Sequence, residues 1–255
     1  PVYIRKESTL DQKRSLFKKI FKSILYPALL KIPTGFLYAG ERSKLFLLKY
    51  KVKDKKLFFF PHSASSKNFY SEKKIKKNNK KLIHKTLKIL SVSALIKLKK
   101  VDDLIKACNK ISELGYKVEL NIVGSGDMQK ELMELSESFN LNVKFSSFVN
   151  QNKLRDYYIS SDVLVLASNS ESWGLVVNEA MQCGLPVVVS DSVGCGPDLI
   201  KENTGRIFKT GDVSDCAYKI IEVIKSEKIN SNNILRHIEK FSVNSSIDTL
   251  ENLLS

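Results

Sequence analysis

The sequence contains little cysteine and no closely spaced metal-ligating residues. Its four cysteines are far apart: Cys108, Cys183, Cys195 and Cys216. This spacing includes no C-x-x-C pair, which disfavours a zinc ribbon or a disulfide framework, so we expect a reducing, cytoplasmic compartment. The three histidines are equally dispersed, and the sequence therefore predicts no metal site.

Long apolar runs are also missing. No stretch approaches the roughly eighteen apolar residues that a transmembrane helix needs, which excludes such a helix within this sequence. Hydrophobic residues nevertheless make up 43% of the 255 positions, so the chain can bury a sizeable core and wholesale disorder is excluded.

Acidic residues are scarce in the first hundred positions. Residues 1–100 hold 27 Lys+Arg and 5 Asp+Glu, whereas residues 101–255 hold 15 and 22. A basic half is suited to phosphates, anionic lipid or nucleic acid. A lysine-rich, solvated surface without a specific partner is the open alternative.

The basic half contains a predicted linker over residues 63–85. Several serines precede the run Glu72–Lys81, which has six lysines and no apolar periodicity. Such a composition is typical of a connector between domains. Aromatic residues do not interleave with these lysines as a base-stacking surface requires, which argues against nucleic acid as the partner.

Before the linker, the pattern predicts a small α/β segment. Pro1–Glu7 is expected to form a strand, and Lys13–Leu30 has apolar residues at helical spacing with lysines opposite. That helix either covers a sheet or lies on an anionic membrane. Further elements are predicted at Thr34–Ala39 (strand), Glu41–Tyr50 (helix) and Lys56–Phe60 (strand).

After the linker, strands and helices alternate. Strands are predicted at Leu87–Val92, Lys117–Val123, Val143–Phe145, Val163–Ala167, Pro186–Ser190 and Arg206–Phe208. Helices are predicted at Val101–Leu114, Asp127–Asn140, Asn152–Ser160, Gly174–Cys183, Asp212–Ser226, Asn232–Phe241 and Val243–Leu254. Several strands are apolar throughout, as in a parallel sheet covered on both faces. The prediction is an α/β fold with a doubly wound parallel sheet, which binds ligands at the carboxyl ends of its strands.

Two loops at those carboxyl ends carry glycines. Gly124-Ser125-Gly126 follows a strand and opens a helix, where a dinucleotide fold holds phosphate, but the third glycine of G-x-G-x-x-G is absent. A tight strand-to-helix turn explains these glycines better than phosphate contact. Gly194 and Gly196 either let the backbone approach a ligand or serve a turn.

The segment Ser170–Met181 is the sharpest candidate site. Glu171 lies in the loop after a strand, and the helix expected to begin at Gly174 has free N–H groups suited to a diphosphate. Glu179 lies inside that helix, where its carboxylate is able to accept ribose hydroxyls. Non-functional interpretations remain open for these residues. Glu171 is alternatively an acid that interacts favourably with the helix dipole, and Glu179 alternatively lies on a solvated helix face. For Trp173 we favour a packing role over a stacking surface.

Three stretches together resemble the donor domain of the retaining GT-B glycosyltransferases known as group 1. They are Ser170–Met181, Cys183–Pro186 and Ser190–Leu199. The E-x7-E signature of that family matches Glu171 and Glu179. The resemblance implies two Rossmann-like domains, of which the C-terminal one holds a nucleotide diphosphate sugar as co-substrate, without a metal or other cofactor.

The resemblance also implies residue roles. Glu171 and Lys99 are expected to be catalytic, with Glu171 on the donor hexose and Lys99 among the cations that stabilise the leaving diphosphate. Glu179 is expected to hold the ribose. The remaining expected donor-binding residues are Gly174, Leu175, Val176, Ser93, Gly124 and Gly194.

The sequence departs from the family pattern at the loop Val92–Lys99. Ser93 replaces a glycine, and Ala94 replaces an arginine or lysine, which removes one cation from the diphosphate. Losing such a preorganised group typically costs about 3–4 kcal/mol of barrier, or about a hundredfold or more in rate. Lys97 is a candidate substitute for the missing cation.

The implied domains are a remnant of the N-terminal acceptor-side domain at 1–62, the basic linker, a donor-binding domain at 86–242 and a crossover helix at 243–255. Because the sequence starts within a strand at Pro1, we expect it to begin inside a larger protein.

The predicted function is transfer of a hexose to a saccharide or lipid-linked glycan acceptor in surface polysaccharide or glycoconjugate biosynthesis. We expect cytoplasmic residence with peripheral contact to anionic membrane. The open alternatives are a remnant that binds donor without transfer, a nucleic-acid or membrane-surface binder that uses residues 1–100, and a glycoside hydrolase that uses Glu171 and Glu179.

Overall fold

The computed structural model describes residues 1–7, 25–64 and 86–255. The chain folds into two compact units: unit 1 comprises residues 1–63 and 241–255, and unit 2 comprises residues 64–240. Most of the predicted helix Lys13–Leu30 lies outside the described residues. Within its described part, residues 25–29 are helical. The predicted linker at 63–85 also lies outside them, apart from its first two residues.

Regular elements alternate along the described chain. The strands are β1 (Tyr3–Lys6), β2 (Gly35–Tyr38), β3 (Leu57–Phe59), β4 (Leu87–Val92), β5 (Val118–Val123), β6 (Asn142–Ser146), β7 (Val163–Leu166), β8 (Val187–Ser190) and β9 (Gly205–Phe208). The labelled helices are α1 (Glu41–Lys49), α2 (Val101–Glu113), α3 (Gln129–Ser138), α4 (Gln151–Ser160), α5 (Leu175–Gln182), α6 (Gly196–Leu199), α7 (Val213–Lys225), α8 (Ser231–Ile238) and α9 (Val243–Leu254). Single 3₁₀ turns occupy Asp54–Lys56, Lys97–Lys99 and Glu239–Phe241.

Unit 1 contains a three-stranded parallel sheet in the order β1-β2-β3. A small core of Phe36, Phe46, Leu47 and Val52 lies between this sheet and α1. Helix α9 packs on β3, where the Thr249 hydroxyl donates a 2.8 Å hydrogen bond to the Phe59 carbonyl.

Unit 2 contains a six-stranded parallel sheet in the order β6-β5-β4-β7-β8-β9. The chain builds outward from β4 to β6 and then returns to the other side of β4 to build β7 to β9. Every residue of β7 and β8 is buried, as the apolar runs at 163–166 and 187–189 predict. The confirmed α/β fold therefore has its topological switch point between β4 and β7, where doubly wound sheets bind ligands.

The structure corrects two local predictions. Helix α5 begins at Leu175, and Gly174 precedes it as the N-cap with a left-handed φ of 99°. The segment after β8, predicted only as a loop, contains the short helix α6 with Pro197 in its first turn, where the missing N–H of proline costs nothing. Among the described residues, no helix combines the length and apolarity that a membrane span requires.

Candidate active site

The switch point of unit 2 brings together a lysine and a glutamate from two loops. Lys99 follows β4, Glu171 follows β7, and the Lys99 Nζ atom forms an ion pair with the Glu171 carboxylate. Both side chains are about one-fifth exposed, at 19% and 21%. The Leu98 carbonyl also accepts a 2.8 Å hydrogen bond from the Asn169 N–H, so the two loops are tied together beside this pair.

The loop carrying Glu171 is also attached to the loop after β8. The Gly194 N–H donates to the Glu171 carbonyl at 2.9 Å, and the Glu171 N–H donates to the Ser192 carbonyl at 3.3 Å. A Cβ atom at Gly194 would lie 1.9 Å from the Ser172 carbonyl oxygen. The packing of these two loops therefore requires glycine at 194.

A similar contact joins Ser93 to Gly124 on the other side of the switch point. The Ser93 N–H donates to the Val123 carbonyl at 3.1 Å, and the Leu95 N–H donates to the Ser125 carbonyl at 2.9 Å. Gly124 has a φ of 147°, and a Cβ there would lie 1.9 Å from the Ser93 carbonyl oxygen. Close loop packing accounts for this glycine, in line with the tight turn that the sequence favours.

The first turn of α5 presents free backbone donors next to Glu171. Within the described part of the chain, no carbonyl accepts from the N–H of Leu175 or Val176, as is usual for a first helical turn. The Leu175 side chain is exposed, and the Gly174 Cα lies close to Glu171. These N–H groups and the helix dipole suit an anion.

Glu179 faces helix α4 from within α5. Its Oε2 atom accepts a 2.7 Å hydrogen bond from the Tyr158 hydroxyl, and Tyr158 is only 1% exposed. Burial raises the pKa of Glu179, although the hydrogen bond from Tyr158 opposes this rise. Glu179 is thus partly buried against α4 rather than on a fully solvated helix face, and its contact with Tyr158 was indicated by no sequence motif.

Trp173 is buried next to the start of α5. It is 7% exposed, and its Nε1–H donates a 2.8 Å hydrogen bond to Oδ1 of the buried Asn178. This arrangement agrees with the packing role favoured from sequence. It also fixes the backbone of Gly174 relative to the helix that follows.

The loop after β4 does not restore the cation that the family pattern places at position 94. Ala94, which replaces an expected cation, is exposed, and so is Lys97. Lys100 forms ion pairs with Asp102 and Asp103. Within residues 1–7, 25–64 and 86–255, no three His, Cys, Asp or Glu side chains are grouped so as to hold a metal ion.

If Glu179 binds a nucleotide ribose, as the family resemblance implies, replacing Tyr158 with phenylalanine should make nucleotide binding more sensitive to acid. The change removes the hydrogen bond that lowers the pKa of Glu179, so this pKa should rise further above its usual value. If the ionised carboxylate binds ribose, affinity is lost as the pH falls through that pKa. UDP titrations between about pH 4.5 and 8 should therefore show the loss at a higher pH in Tyr158→Phe than in wild type.

The same variant should alter the pH dependence of stability. A carboxyl group whose pKa is raised by folding keeps its proton to a higher pH in the folded chain than in the unfolded chain. The free energy of unfolding therefore falls as the pH rises from the unfolded pKa of the group to its folded pKa. Tyr158→Phe should extend this fall to higher pH, measured by urea unfolding at a series of pH values. An unchanged dependence of nucleotide binding on pH would contradict the effect of the Tyr158 hydrogen bond on the pKa of Glu179.

The fold of the chain is that of the GT-B glycosyltransferases. The crystal structure of Anabaena HepE in complex with UDP superposes with a TM-score of 0.78 at 17% identity, covering 100% of this chain and 72% of that one. This likeness establishes the α/β architecture with parallel sheets.

Sequence comparison identifies the family. Residues 72–239, more than half of the chain, match the family model for glycosyl transferases group 1, and the chain belongs to that family. It is 29% identical to the N-acetyl-alpha-D-glucosaminyl L-malate synthase of Bacillus anthracis over 72% of this chain and 45% of the relative. It is 31% identical to the amylovoran biosynthesis glycosyltransferase AmsK of Erwinia amylovora over 57% of this chain and 38% of the relative. The chain thus spans less than half the length of these curated relatives.

Proposed function

We propose that this chain provides the donor-binding half of a retaining glycosyltransferase that moves a hexose from a nucleotide diphosphate sugar to a hydroxyl acceptor. The observation that carries the proposal is the Lys99–Glu171 pair at the switch point of unit 2, directly beside the open first turn of α5. Family membership supports transfer chemistry, and the open amides of α5 together with Lys99 support the binding of an anion.

The donor is proposed to extend along α5. Its diphosphate would accept hydrogen bonds from the Leu175 and Val176 amides, which have no acceptor among the described residues. Its ribose hydroxyls would donate to Glu179, whose carboxylate is held in place by Tyr158. The hexose would lie at Glu171, at the end of the diphosphate away from the ribose.

Charge redistribution at the switch point would support the reaction. When the bond between the anomeric carbon and the diphosphate oxygen breaks, negative charge develops on the diphosphate, and prearranged donors stabilise it. In the structure Lys99 is paired with Glu171. Donor binding would draw Lys99 toward the diphosphate and free Glu171 to accept hexose hydroxyls, so no metal is needed for charge neutralisation in this proposal.

Calorimetry with UDP-glucose and GDP-mannose tests the site assignment. Wild type should bind at least one donor, and Glu179→Ala should weaken that binding by about tenfold or more, because a charged hydrogen-bond partner of the ribose is lost. Glu134→Ala, on the exposed face of α3, is the control and should bind as wild type does. Equal affinity in Glu179→Ala, or no binding by wild type, would contradict the assignment.

The acceptor is proposed to be a saccharide or a lipid-linked glycan. The polysaccharide-biosynthesis relative supports this class, and unit 1 exposes apolar side chains, including Val2 and Ile32, within a basic half of the sequence. Peripheral contact with anionic membrane follows as part of the proposal. Co-sedimentation with phosphatidylglycerol vesicles, weakened by high salt, should show it; binding to neutral vesicles alone would contradict it.

A second candidate function is sugar-nucleotide binding without transfer. The exposed Ala94 favours it, because a cation at that position would help to neutralise the leaving diphosphate. Donor binding without release of nucleotide, in the presence of a panel of acceptors, would support this alternative. Measurable turnover by this chain would exclude it.

A further inference from the structure

Lys100 directly follows the turn that carries Lys99, and its backbone is left-handed, with φ 53° and ψ 39°. Lysine disfavours this conformation, whereas glycine adopts it readily. Lys51 and Asn140 are the other non-glycine residues with positive φ in the described part of the chain. Of the three, Lys100 is the one that adjoins the switch point.

Two aspartates hold the Lys100 side chain. Its Nζ atom lies 3.2 Å from Asp103 Oδ2 and 3.6 Å from Asp102 Oδ2, and Asp103 is only 8% exposed. Lys106 also contacts both aspartates, at 3.1 and 3.7 Å. Burial opposes the charge on Lys100, but the hydrogen bonds and charges of the two aspartates outweigh it and raise the pKa of this lysine.

The backbone of Lys100 connects two elements of the site. Its N–H closes the turn Lys97–Lys99 by donating to the Lys97 carbonyl at 3.4 Å. Its carbonyl opens α2 by accepting from the Asp103 and Leu104 N–H groups at 3.1 and 3.4 Å. The direction in which the turn presents Lys99 therefore depends on the conformation of Lys100.

We infer that Lys100 is a positioning residue for Lys99. Its ion pairs with Asp102 and Asp103 hold the left-handed conformation that places Lys99 at Glu171 and, in the proposed donor complex, at the diphosphate. The part of this inference that places Lys99 at a diphosphate rests on the proposed function. Lys100 itself acts through Lys99, because its own charge is committed to the aspartates at the start of α2.

Titration of the full chain with UDP and uridine, and in parallel with GDP and guanosine, tests this inference. In Lys100→Ala, position 100 must still adopt the left-handed conformation, but the ion pairs that stabilise it are lost. The affinity for UDP and GDP should therefore fall about three- to tenfold. Nucleoside affinity should not change, because the ribose site on Glu179 is untouched. Lys100→Gly should bind within about twofold of wild type, since glycine adopts the conformation unaided.

Lys51→Ala is the matched control, because Lys51 is also a lysine with a positive φ, of 61°, and lies in unit 1. It should leave all nucleotide affinities unchanged. Lys100→Ala that binds UDP and GDP as wild type does, or that loses nucleoside and diphosphate equally, would overturn the inference. The same holds if Lys100→Gly is as defective as Lys100→Ala.

Hydrogen exchange gives a readout without ligand. The Asn169 N–H, which donates to Leu98 in the turn, should exchange faster in Lys100→Ala than in wild type or Lys100→Gly. Equal exchange in all three would overturn the inference. If wild type binds neither nucleotide, the proposed function fails, while this measurement still decides whether Lys100 holds the turn.

Discussion

Replacing Lys99 with alanine should lower the rate at which a nucleotide diphosphate sugar is cleaved by about a hundredfold or more. Lys99 is the cation that the structure places at Glu171, and removing one prearranged group that stabilises developing charge typically has an effect of this size. Release of UDP from UDP-glucose, or of GDP from GDP-mannose, measures the rate. Folding should change little, because both partners of the lost ion pair are partly exposed.

The matched control is Lys130→Ala. Lys130 lies on α3 with its side chain 90% exposed, and it forms a 3.8 Å ion pair with Glu134. Its loss should leave donor cleavage unchanged. A Lys99→Ala variant that cleaves donor as fast as this control would remove Lys99 from the catalytic assignment.

Replacing Gly124 with alanine should destabilise unit 2 by about 3–5 kcal/mol. The new Cβ would lie 1.9 Å from the Ser93 carbonyl oxygen, and a φ of 147° is itself unfavourable for alanine. Because the clash involves backbone on both sides, a side-chain rotation cannot relieve it. Urea unfolding at neutral pH measures the loss.

Gly115→Ala separates the two contributions. Gly115 has a φ of 88°, but nothing lies within 4 Å of the position of an added Cβ. This variant should therefore lose only about 1 kcal/mol, from backbone strain. Similar losses in both variants would mean that the loop after β4 moves away from Gly124 at little cost.

The centre of the sheet of unit 2 was predictable because β7 and most of β8 are apolar runs. Because these two strands are buried on both faces, they appear in the sequence as continuous apolar runs rather than as an alternation of apolar and polar residues. Element ends were less predictable. Gly174 was expected to begin α5, but its left-handed φ belongs to an N-cap rather than to a helical residue.

The meeting of Lys99 and Glu171 could not be derived from spacing alone. These residues are 72 positions apart, and they meet because β4 and β7 are neighbours in the sheet although β5 and β6 lie between them in the chain. The family resemblance indicated both residues, but not their ion pair. Which strands are neighbours in a doubly wound sheet is set by the topology of the whole domain, not by their distance along the chain.

Tyr158 and Gly194 show two further limits of sequence analysis. Tyr158 reads as an ordinary core residue of α4, and its partner Glu179 lies on another helix. Gly194 reads as a turn or ligand-binding glycine, whereas its Cα packs against the Ser172 carbonyl. Both depend on contacts between segments that are distant in sequence.

The most direct test is a crystal structure of the full chain soaked with UDP or GDP. The account predicts the diphosphate within hydrogen-bonding distance of the Leu175 and Val176 amides, with Lys99 turned toward it and the ribose hydroxyls on Glu179. A nucleotide bound elsewhere, or bound along α5 with its ribose away from Glu179, would contradict it.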